Sequence, residues 1–360
     1  MKFCERCFKN EEIKNIIQNK NKRGNCDIDP EHKDVFVCEI VPTDLDVLNI
    51  KNILHQIIDV YTVDEDLPAD FPNELRDLLR HTLKDRWSLF EISDDQIQKL
   101  VQLLFAGDQD FDERFLDHQI GVIEENERDN KSLIIRNNDW ESFIKDIKFK
   151  NRFHTKSLVL DNLAYFLGST VKSIAKDQFD WYRCRISNQA KLDKLQMGAP
   201  PCGKAVAGRL NPEWISMLYL CDNADTCIKE VRAGFKDTVY VGKFKLTKDI
   251  RVIDLRNFAD ITLNGDVDNL KYYLNRKTLC KIATEFAKPT NNNIKRLEYL
   301  PLQYISEYIK SLMIYDGIIY KSVMDDHSFN LVLFDPSIAK CTVLKRKIVE
   351  EIDYKLSTSA

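Results

Sequence analysis

The sequence predicts an α+β protein built from three successive parts. Cysteines are concentrated at residues 1–42, helical periodicity dominates residues 43–155, and short strand-like windows alternate with helical ones over residues 176–350. Several short strands mixed with helices in one stretch are typical of an α+β domain. We therefore expect a small cysteine-rich module, a helical domain and a mixed domain, in that order.

Length and composition indicate a globular protein with a sizeable core. The chain has 360 residues, of which 44% are hydrophobic and 31% charged, and this length suits two or three domains. A net charge of -4 argues against a general attraction to nucleic acid or to anionic membranes. We find no apolar leader and no stretch of the roughly 18 apolar residues that a membrane span requires, so we expect a cytoplasmic protein.

The first 42 residues predict a metal-binding module. Cys4 and Cys7 form a C-x-x-C pair, and Cys26 follows a turn. No second C-x-x-C pair follows, which leaves His32 and Cys38 as alternatives for a fourth ligand. Three or more soft ligands favour a closed structural Zn²⁺ site over a catalytic one, and so small a module needs metal to fold. The alternative is a set of ordinary reduced thiols.

Periodicity and capping signals predict the elements of the first two parts. Apolar residues recur at a helical spacing over residues 44–61, and Ser93 with Gln96 forms a capping box. Pro72 suits the first turn of a helix. The predicted elements are a strand at 34–40 and helices at 11–20, 44–61, 72–90, from Ser93 onward, and 139–148.

The third part combines apolar strand-like windows with amphipathic helical ones. The predicted strands are 181–186, 217–221, 238–244, 252–255, 317–320 and 330–334. The predicted helices are 223–232, 268–287 and 301–312. Periodicity predicts these elements but does not predict the order of the strands in a sheet.

An ordered series of short motifs runs through this third part. They are Tyr-Arg-Cys-Arg at 182–185, Met-Gly-Ala-Pro-Pro at 197–201, Gly-Arg-Leu-Asn at 208–211, Leu-Tyr-Leu at 218–220, Thr-Cys-Ile-Lys-Glu at 226–230, Tyr-Leu-Pro-Leu-Gln at 299–303, Asp-Gly-Ile-Ile-Tyr-Lys-Ser at 316–322 and Asn-Leu-Val-Leu-Phe at 330–334. The series resembles the RES family, named for its Arg, Glu and Ser, over about residues 178–345. Leu210 stands where the family commonly has an aromatic residue.

The resemblance implies a fold similar to ADP-ribosyltransferases of the diphtheria-toxin type and a reaction that cleaves NAD⁺. It assigns the catalytic roles to Arg209, Glu230 and Ser322. The residue types suit that chemistry, because a guanidinium fork matches the diphosphate of NAD⁺ and a carboxylate stabilises the cation that develops on the ribose. A serine can orient the ribose or the nicotinamide amide.

Four further residues are expected to bind NAD⁺. Arg183 and Arg185 alternate along one strand and so share a face. Tyr219 and Tyr320 can stack on an aromatic ring. The acceptor is water or inorganic phosphate, and the resemblance implies phosphate in some members of the family. The six cysteines after residue 42 are expected to be core or surface thiols.

The resemblance also implies a biological role as a bacterial toxin or anti-phage effector that depletes NAD⁺. The alternatives for its control are an inhibitory or activating partner protein and inhibition by the N-terminal region. Transfer of ADP-ribose onto a macromolecule is one alternative. A regulatory module that senses NAD⁺ without turnover is another, and loss of Arg209 or Glu230 would indicate it. Both residues are present.

The helical domain at residues 43–155 resembles, by position and helix content, the HEPN-like extensions of some RES proteins. Arg76 and His81 match the spacing of HEPN ribonucleases, but a spacing this loose also arises by chance. We expect this domain to serve packing and homo-oligomerisation rather than nuclease activity.

Overall fold

The computed structural model describes residues 1–126, 131–136, 139–187, 191–259, 267–288, 296–325 and 327–352. The chain divides into two compact units. The first comprises residues 1–138 and 260–277, and the second comprises residues 139–259 and 278–360. Among the described residues, no helix combines the length and apolar character that a membrane span requires.

The first unit begins with a three-stranded antiparallel sheet in the order β1-β3-β2. The strands are β1 (Lys2–Cys4), β2 (Arg23–Gly24) and β3 (Val35–Glu39), and helices α1 (Glu11–Asn19) and α2 (Leu45–Ile58) accompany them. Each helix starts at a side-chain cap, since Asn10 and Asp44 accept hydrogen bonds from backbone N–H groups of the first turn. The predicted helices at 11–20 and 44–61 and the strand at 34–40 are confirmed.

A second small sheet and one longer helix also lie within the first 126 residues. The sheet has the order β4-β6-β5, with β4 (Thr62–Val63), β5 (Asp77–Leu78) and β6 (Gln119–Gly121). Helix α4 (Asp94–Leu104) starts at the predicted capping box, in which Ser93 and Gln96 bond reciprocally. The charged linker predicted at residues 124–131 lies partly outside the described residues.

The helix predicted at residues 72–90 is wrong. The segment forms a 3₁₀ turn at Asn73–Leu75, strand β5, a short helix α3 (Leu79–His81) and a π-helical turn at Thr82–Arg86. The physical reason is that β5 pairs with β6, which takes the backbone of Asp77 and Leu78 into extended conformation. A tertiary partner therefore overrides the local helical pattern.

This break also separates the two residues of the nuclease-like spacing. Arg76 lies in extended backbone and donates to Phe71 O at 3.2 Å, whereas His81 ends α3 and its Nδ1 lies 2.8 Å from Asp77 Oδ1. The two side chains thus have separate local partners. The single helix that would carry both residues is not formed.

The second unit is built on an eight-stranded sheet in the order β14-β10-β8-β9-β13-β12-β11-β7. All neighbours are antiparallel except β11 and β12. The strands are β7 (Val171–Ile174), β8 (Trp181–Ile186), β9 (Leu218–Cys221), β10 (Thr238–Leu246), β11 (Ile250–Asp254), β12 (Gly317–Lys321), β13 (Phe329–Leu333) and β14 (Ala339–Ile348). The predicted α+β class is confirmed.

Five helices accompany this sheet. They are α5 (Trp140–Phe149), α6 (Leu160–Gly168), α7 (Ala224–Glu230), α8 (Asn269–Ala287), whose C-terminal half belongs to this unit, and α9 (Leu300–Ser311). The core on the sheet includes Trp181, Leu218, Phe244 and Leu331. Gly317 is required in β12, because a Cβ there would lie 2.2 Å from Val332 O.

The sheet is weakest between β8 and β9, which share the single paired position Tyr182↔Cys221. Every other neighbouring pair shares at least three paired positions. Residues of both strands line a cavity at this junction. The candidate functional site lies at this junction between β8 and β9.

Candidate functional site

Glu230 is held in place by two side chains that donate to the same carboxyl oxygen. Ser322 Oγ donates to Glu230 Oε1 at 2.6 Å, and Asn330 Nδ2 donates to the same atom at 2.8 Å. Ser322 and Asn330 are only 5% and 7% exposed. In the described part of the chain no group donates a hydrogen bond to Oε2. The Glu230 carboxyl is therefore anchored through Oε1, and Oε2 can accept a hydrogen bond from a ligand.

The elements that carry these residues are themselves tied together. Helix α7 ends at Glu230 and starts at Asn223, whose side chain caps the helix. Thr226 on α7 shares a hydrogen bond of 3.0 Å with Ser328 in the turn between β12 and β13. Ser322 N donates to Ser328 O at 2.9 Å in that same turn. Ser328 in this turn therefore holds Ser322 next to helix α7, which carries Glu230.

A cavity of about 270 Å³ opens beside this group. Its lining includes Glu230 and Asn330 together with three of the residues predicted to bind NAD⁺, namely Arg183, Tyr219 and Tyr320. These residues come from four strands and one helix and are up to 147 positions apart in the numbering (330 minus 183). The structure therefore brings together residues that are distant in sequence.

Arg183 supplies positive charge to this cavity. Its Nη1 donates to Tyr219 O at 3.1 Å, while its Nε is buried without a hydrogen-bond partner among the described residues. Burial, with a smaller contribution from Arg185, lowers the pKa of Arg183 to about 10. A desolvated guanidinium with a free donor is suited to an anionic ligand.

Arg185 is directed elsewhere. Its Nη2 donates to Gly198 O at 3.2 Å, in the Gly-Pro-rich loop, and its side chain lines a second cavity of about 500 Å³. The expectation that both arginines enter one cleft is therefore met by Arg183 and not by Arg185.

Arg209 caps a helix rather than lining the first cavity. Its Nη1 donates to Phe286 O, and its Nη2 donates to Lys288 O at 2.6 Å, at the carbonyl end of α8. A cation at this end of a helix is favourable, because the last carbonyls have no partners within the helix. The predicted contact of Arg209 with a diphosphate stays a prediction.

The loop that carries Arg209 is rigidly built. Asn211 donates to three backbone carbonyls, and Gln303 Nε2 donates to Gly208 O at 2.7 Å and to Asn211 O at 3.0 Å. A Cβ on Gly208 would lie 2.4 Å from Asn211 Oδ1, so only glycine fits there. The Gly-Arg-Leu-Asn and Tyr-Leu-Pro-Leu-Gln motifs therefore meet in space.

Tyr320, which is buried, and Tyr219, which is half-buried, both line the first cavity. Tyr219 OH donates to Asn211 Oδ1 at 2.8 Å and accepts from Leu210 N at 3.1 Å. Burial raises the pKa of Tyr219 to about 12 and also raises the pKa of Tyr320. Both hydroxyls are thus neutral at physiological pH, and the rings are available for stacking.

Asn330 is the residue of this site that sequence reasoning did not select. It pairs with Tyr320 across β12 and β13 and with Cys221 across β13 and β9. The available signal was a single amide in the otherwise apolar strand Phe-Asn-Leu-Val-Leu. A polar residue in a strand with only buried positions needs a partner, and here the partner is Glu230.

The cysteine-rich module contains a cluster that can hold a metal ion. Ligand atoms of Cys4, Cys7, Cys26 and His32 all lie within 4.8 Å of one another. Cys7 Sγ is 3.5 Å from Cys26 Sγ, and Cys4 Sγ is 3.3 Å from His32 Nδ1. Cys38 lies outside this group, and its thiol donates to Glu39 O instead.

The surroundings of this cluster also suit a metal. Asp29 N donates to Cys26 Sγ at 3.4 Å, and Asp29 Oδ2 lies 3.9 Å from His32 Nε2. A hydrogen bond with Cys26 raises the pKa of Cys4 to about 12 when no ion is bound. Three thiols and one imidazole, with a carboxylate behind the imidazole, form the donor set of a closed zinc site.

The second unit is thus an α+β domain in which a glutamate, a serine and an asparagine adjoin a cavity that contains a buried arginine. Residues 180–357 match the family described as RES domain, and this part of the chain belongs to that family. A comparison with curated proteins finds no match. Among solved structures, the chain is similar to one in the crystal structure of the M. tuberculosis MbcT-MbcA toxin-antitoxin complex, with 13% identity, coverage of 52% of this chain and 94% of that chain, and a TM-score of 0.32.

Proposed function

We propose that the RES domain cleaves the nicotinamide–ribose bond of NAD⁺, with water or inorganic phosphate as the acceptor, on a fold of the ADP-ribosyltransferase type. The observation that carries this proposal is the Glu230 carboxyl, held through one oxygen by Ser322 and Asn330 at the wall of a cavity that contains Arg183. Membership of the RES family supports the same reaction.

The geometry suits the charge changes of this reaction. Breaking the bond to nicotinamide develops positive charge on the ribose, and a carboxyl fixed beforehand stabilises that charge without rearrangement. Because Oε1 of Glu230 is already occupied, Oε2 is the atom that would face the ribose. The rings of Tyr219 and Tyr320 would stack against the nicotinamide.

Two arginines would handle the negative charge of the substrate. Arg183 lines the cavity with a desolvated guanidinium and would bind a phosphate oxygen of the diphosphate or the phosphate acceptor. For Arg209 to bind the diphosphate, its guanidinium would exchange the carbonyl oxygens of Phe286 and Lys288 for phosphate oxygens. The carbonyl oxygens are neutral, whereas the phosphate oxygens are anionic and match the planar guanidinium fork, which favours that exchange.

In a bacterial cell this reaction would deplete NAD⁺, so we propose a role as a toxin or anti-phage effector in the cytoplasm, restrained or activated by a partner protein. The HEPN-like region would support homo-oligomerisation. The cluster of Cys4, Cys7, Cys26 and His32 would bind one structural Zn²⁺ and stabilise its module.

The test is incubation of the purified full chain with NAD⁺, with and without inorganic phosphate, followed by identification of the products by mass. Release of nicotinamide with ADP-ribose indicates water as the acceptor, and release with a phosphorylated ADP-ribose indicates phosphate. Glu230→Gln is the matched control, because it keeps the shape of the side chain and removes its charge.

Two other outcomes would redirect the proposal. ADP-ribose attached to a macromolecule would identify a transferase. Saturable binding of NAD⁺ with no nicotinamide released, under either phosphate condition, would identify a sensor and reject the cleavage reaction.

A further inference from the structure

Three thiols line the same cavity as Glu230. They come from three elements: Cys184 from β8, Cys221 from β9 and Cys227 from α7. Their exposed fractions are 6%, 2% and 3%, and they pack in one cluster with Val239 and Val241. A small molecule that enters the cavity can therefore contact these thiols as well as the charged side chains of Arg183 and Glu230.

The three thiols are not equivalent. Burial raises the pKa of Cys221 to about 12, as expected for a thiol in apolar surroundings. Cys184 and Cys227 lie in one buried cluster, on a strand and a helix that pack against each other, and the influence of each thiol on the other lowers the pKa of Cys184 and raises that of Cys227. Lys347 adds positive charge near Cys184. Cys184 is thus the more acidic thiol of the pair.

We propose that Cys184 and Cys227 form an oxidation-sensitive dithiol in the cavity wall, which a peroxide converts into a disulfide. The sulfur of Cys184 attacks one peroxide oxygen, the O–O bond breaks, and hydroxide leaves and is protonated to water, which gives a sulfenic acid. The sulfur of Cys227 then attacks the sulfenic sulfur, the S–O bond breaks, and the second water leaves with the thiol proton. Two thiols are oxidised and one peroxide is reduced to two waters.

A disulfide between Cys184 and Cys227 would connect two elements of the candidate site. Cys184 directly follows Arg183 on β8, and Cys227 lies three residues before Glu230 on α7, on the same side of that helix. The bond would join the strand that carries the cavity's arginine to the helix that carries its carboxyl. The modification does not depend on the proposed function, whereas its effect on turnover does.

The test is mass mapping of the full-length, zinc-loaded protein after treatment with hydrogen peroxide, alkylation of the remaining thiols and proteolysis. The expected result is a linked peptide pair that contains Cys184 and Cys227 and that disappears on reduction with dithiothreitol. Cys184→Ser and Cys227→Ser should both lack it, and Cys221→Ser is the matched control that should retain it. Oxidation of the exposed Cys202 in the same sample shows that the peroxide has reacted with accessible thiols.

Two outcomes overturn the proposal: Cys184 still reduced when Cys202 is oxidised, or Cys184 oxidised without a bond to Cys227. Where a variant fails to fold, the map of the unaltered protein decides alone. If NAD⁺ turnover is detected, oxidation should lower it by roughly tenfold or more, because displacing reacting groups by about 1 Å can cost ~10²-fold. Zinc content measured in parallel separates this loss from oxidation of the zinc cluster.

Discussion

Removing the two donors on Glu230 Oε1 provides a direct test of how the carboxyl is held. Ser322→Ala removes the bond of 2.6 Å and Asn330→Ala removes the bond of 2.8 Å. A hydrogen bond to a charged group contributes about 1.5–3 kcal/mol, so each single variant should lose roughly 10- to 150-fold in kcat/KM for NAD⁺ if the bond is realised fully in the transition state.

The double variant should lose more than the sum of the two single losses. Each single variant leaves one donor on Oε1, whereas the double variant leaves none and frees the carboxyl to rotate. Residues that share a partner typically couple by about 0.5–3 kcal/mol. The assay is steady-state nicotinamide release by all four proteins, with melting temperatures measured in parallel.

Ser337→Ala is the control for a serine lost outside this site, because Ser337 is exposed and bonds only Asp335. Additive losses, within about 0.5 kcal/mol, would show that the two donors act independently. Activity of Asn330→Ala within twofold of the unaltered protein, which is about 0.4 kcal/mol, would refute the view that Asn330 positions Glu230.

Three further predictions follow from the same site and from the metal cluster. Glu230→Gln should lower kcat by roughly 10²–10³-fold at an unchanged melting temperature, measured by nicotinamide release and thermal unfolding; near-normal activity would contradict its assigned role. Arg209→Lys and Arg209→Ala should both raise KM for NAD⁺ more than they lower kcat, because a diphosphate carries the same charge before and during cleavage; an unchanged KM in both would reject the diphosphate contact. Metal analysis of the purified protein should find about one Zn²⁺ per chain, lost in Cys4→Ser and kept in Cys38→Ser, since four ligands close the site and Cys38 is not among them. Zinc absent from well-folded protein would reject the site.

The elements of the RES domain could be predicted from sequence because their signals are local. Strand 181–186 alternates apolar residues with arginines from Tyr182 onward, strand 330–334 is apolar apart from Asn330, and the structure has them at Trp181–Ile186 and Phe329–Leu333. Strand β14 was not predicted, because it is a largely exposed edge strand whose second half, Leu-Lys-Arg-Lys-Ile, is basic and carries no apolar alternation. Its assignment depends on pairing with β10, which is distant in the chain.

The site could be predicted only as a set of residues, since their contacts arise between distant parts of the chain. Glu230 and Ser322 are 92 positions apart, and the order of motifs, not periodicity, selected them. Asn330 was quoted within a motif but given no role, because nothing local shows that its amide meets Glu230. The direction of Arg185 likewise depends on Gly198 O, which lies in a separate loop.

Arg209 shows how a residue selected for chemistry can also serve structure. Its guanidinium bonds the carbonyl end of α8, and its loop is fixed by Asn211, Gln303 and Tyr219, so the side chain is held in one place before any ligand arrives. Among the described residues the Arg209 guanidinium bonds carbonyl oxygens and no carboxylate, so none of these partners neutralises its charge. Because a phosphate oxygen is a stronger acceptor than a carbonyl oxygen, these carbonyls can hold the guanidinium ready and still be displaced by the substrate. Under the proposed function, a cap of this kind and a diphosphate contact would be successive uses of one side chain rather than competing assignments.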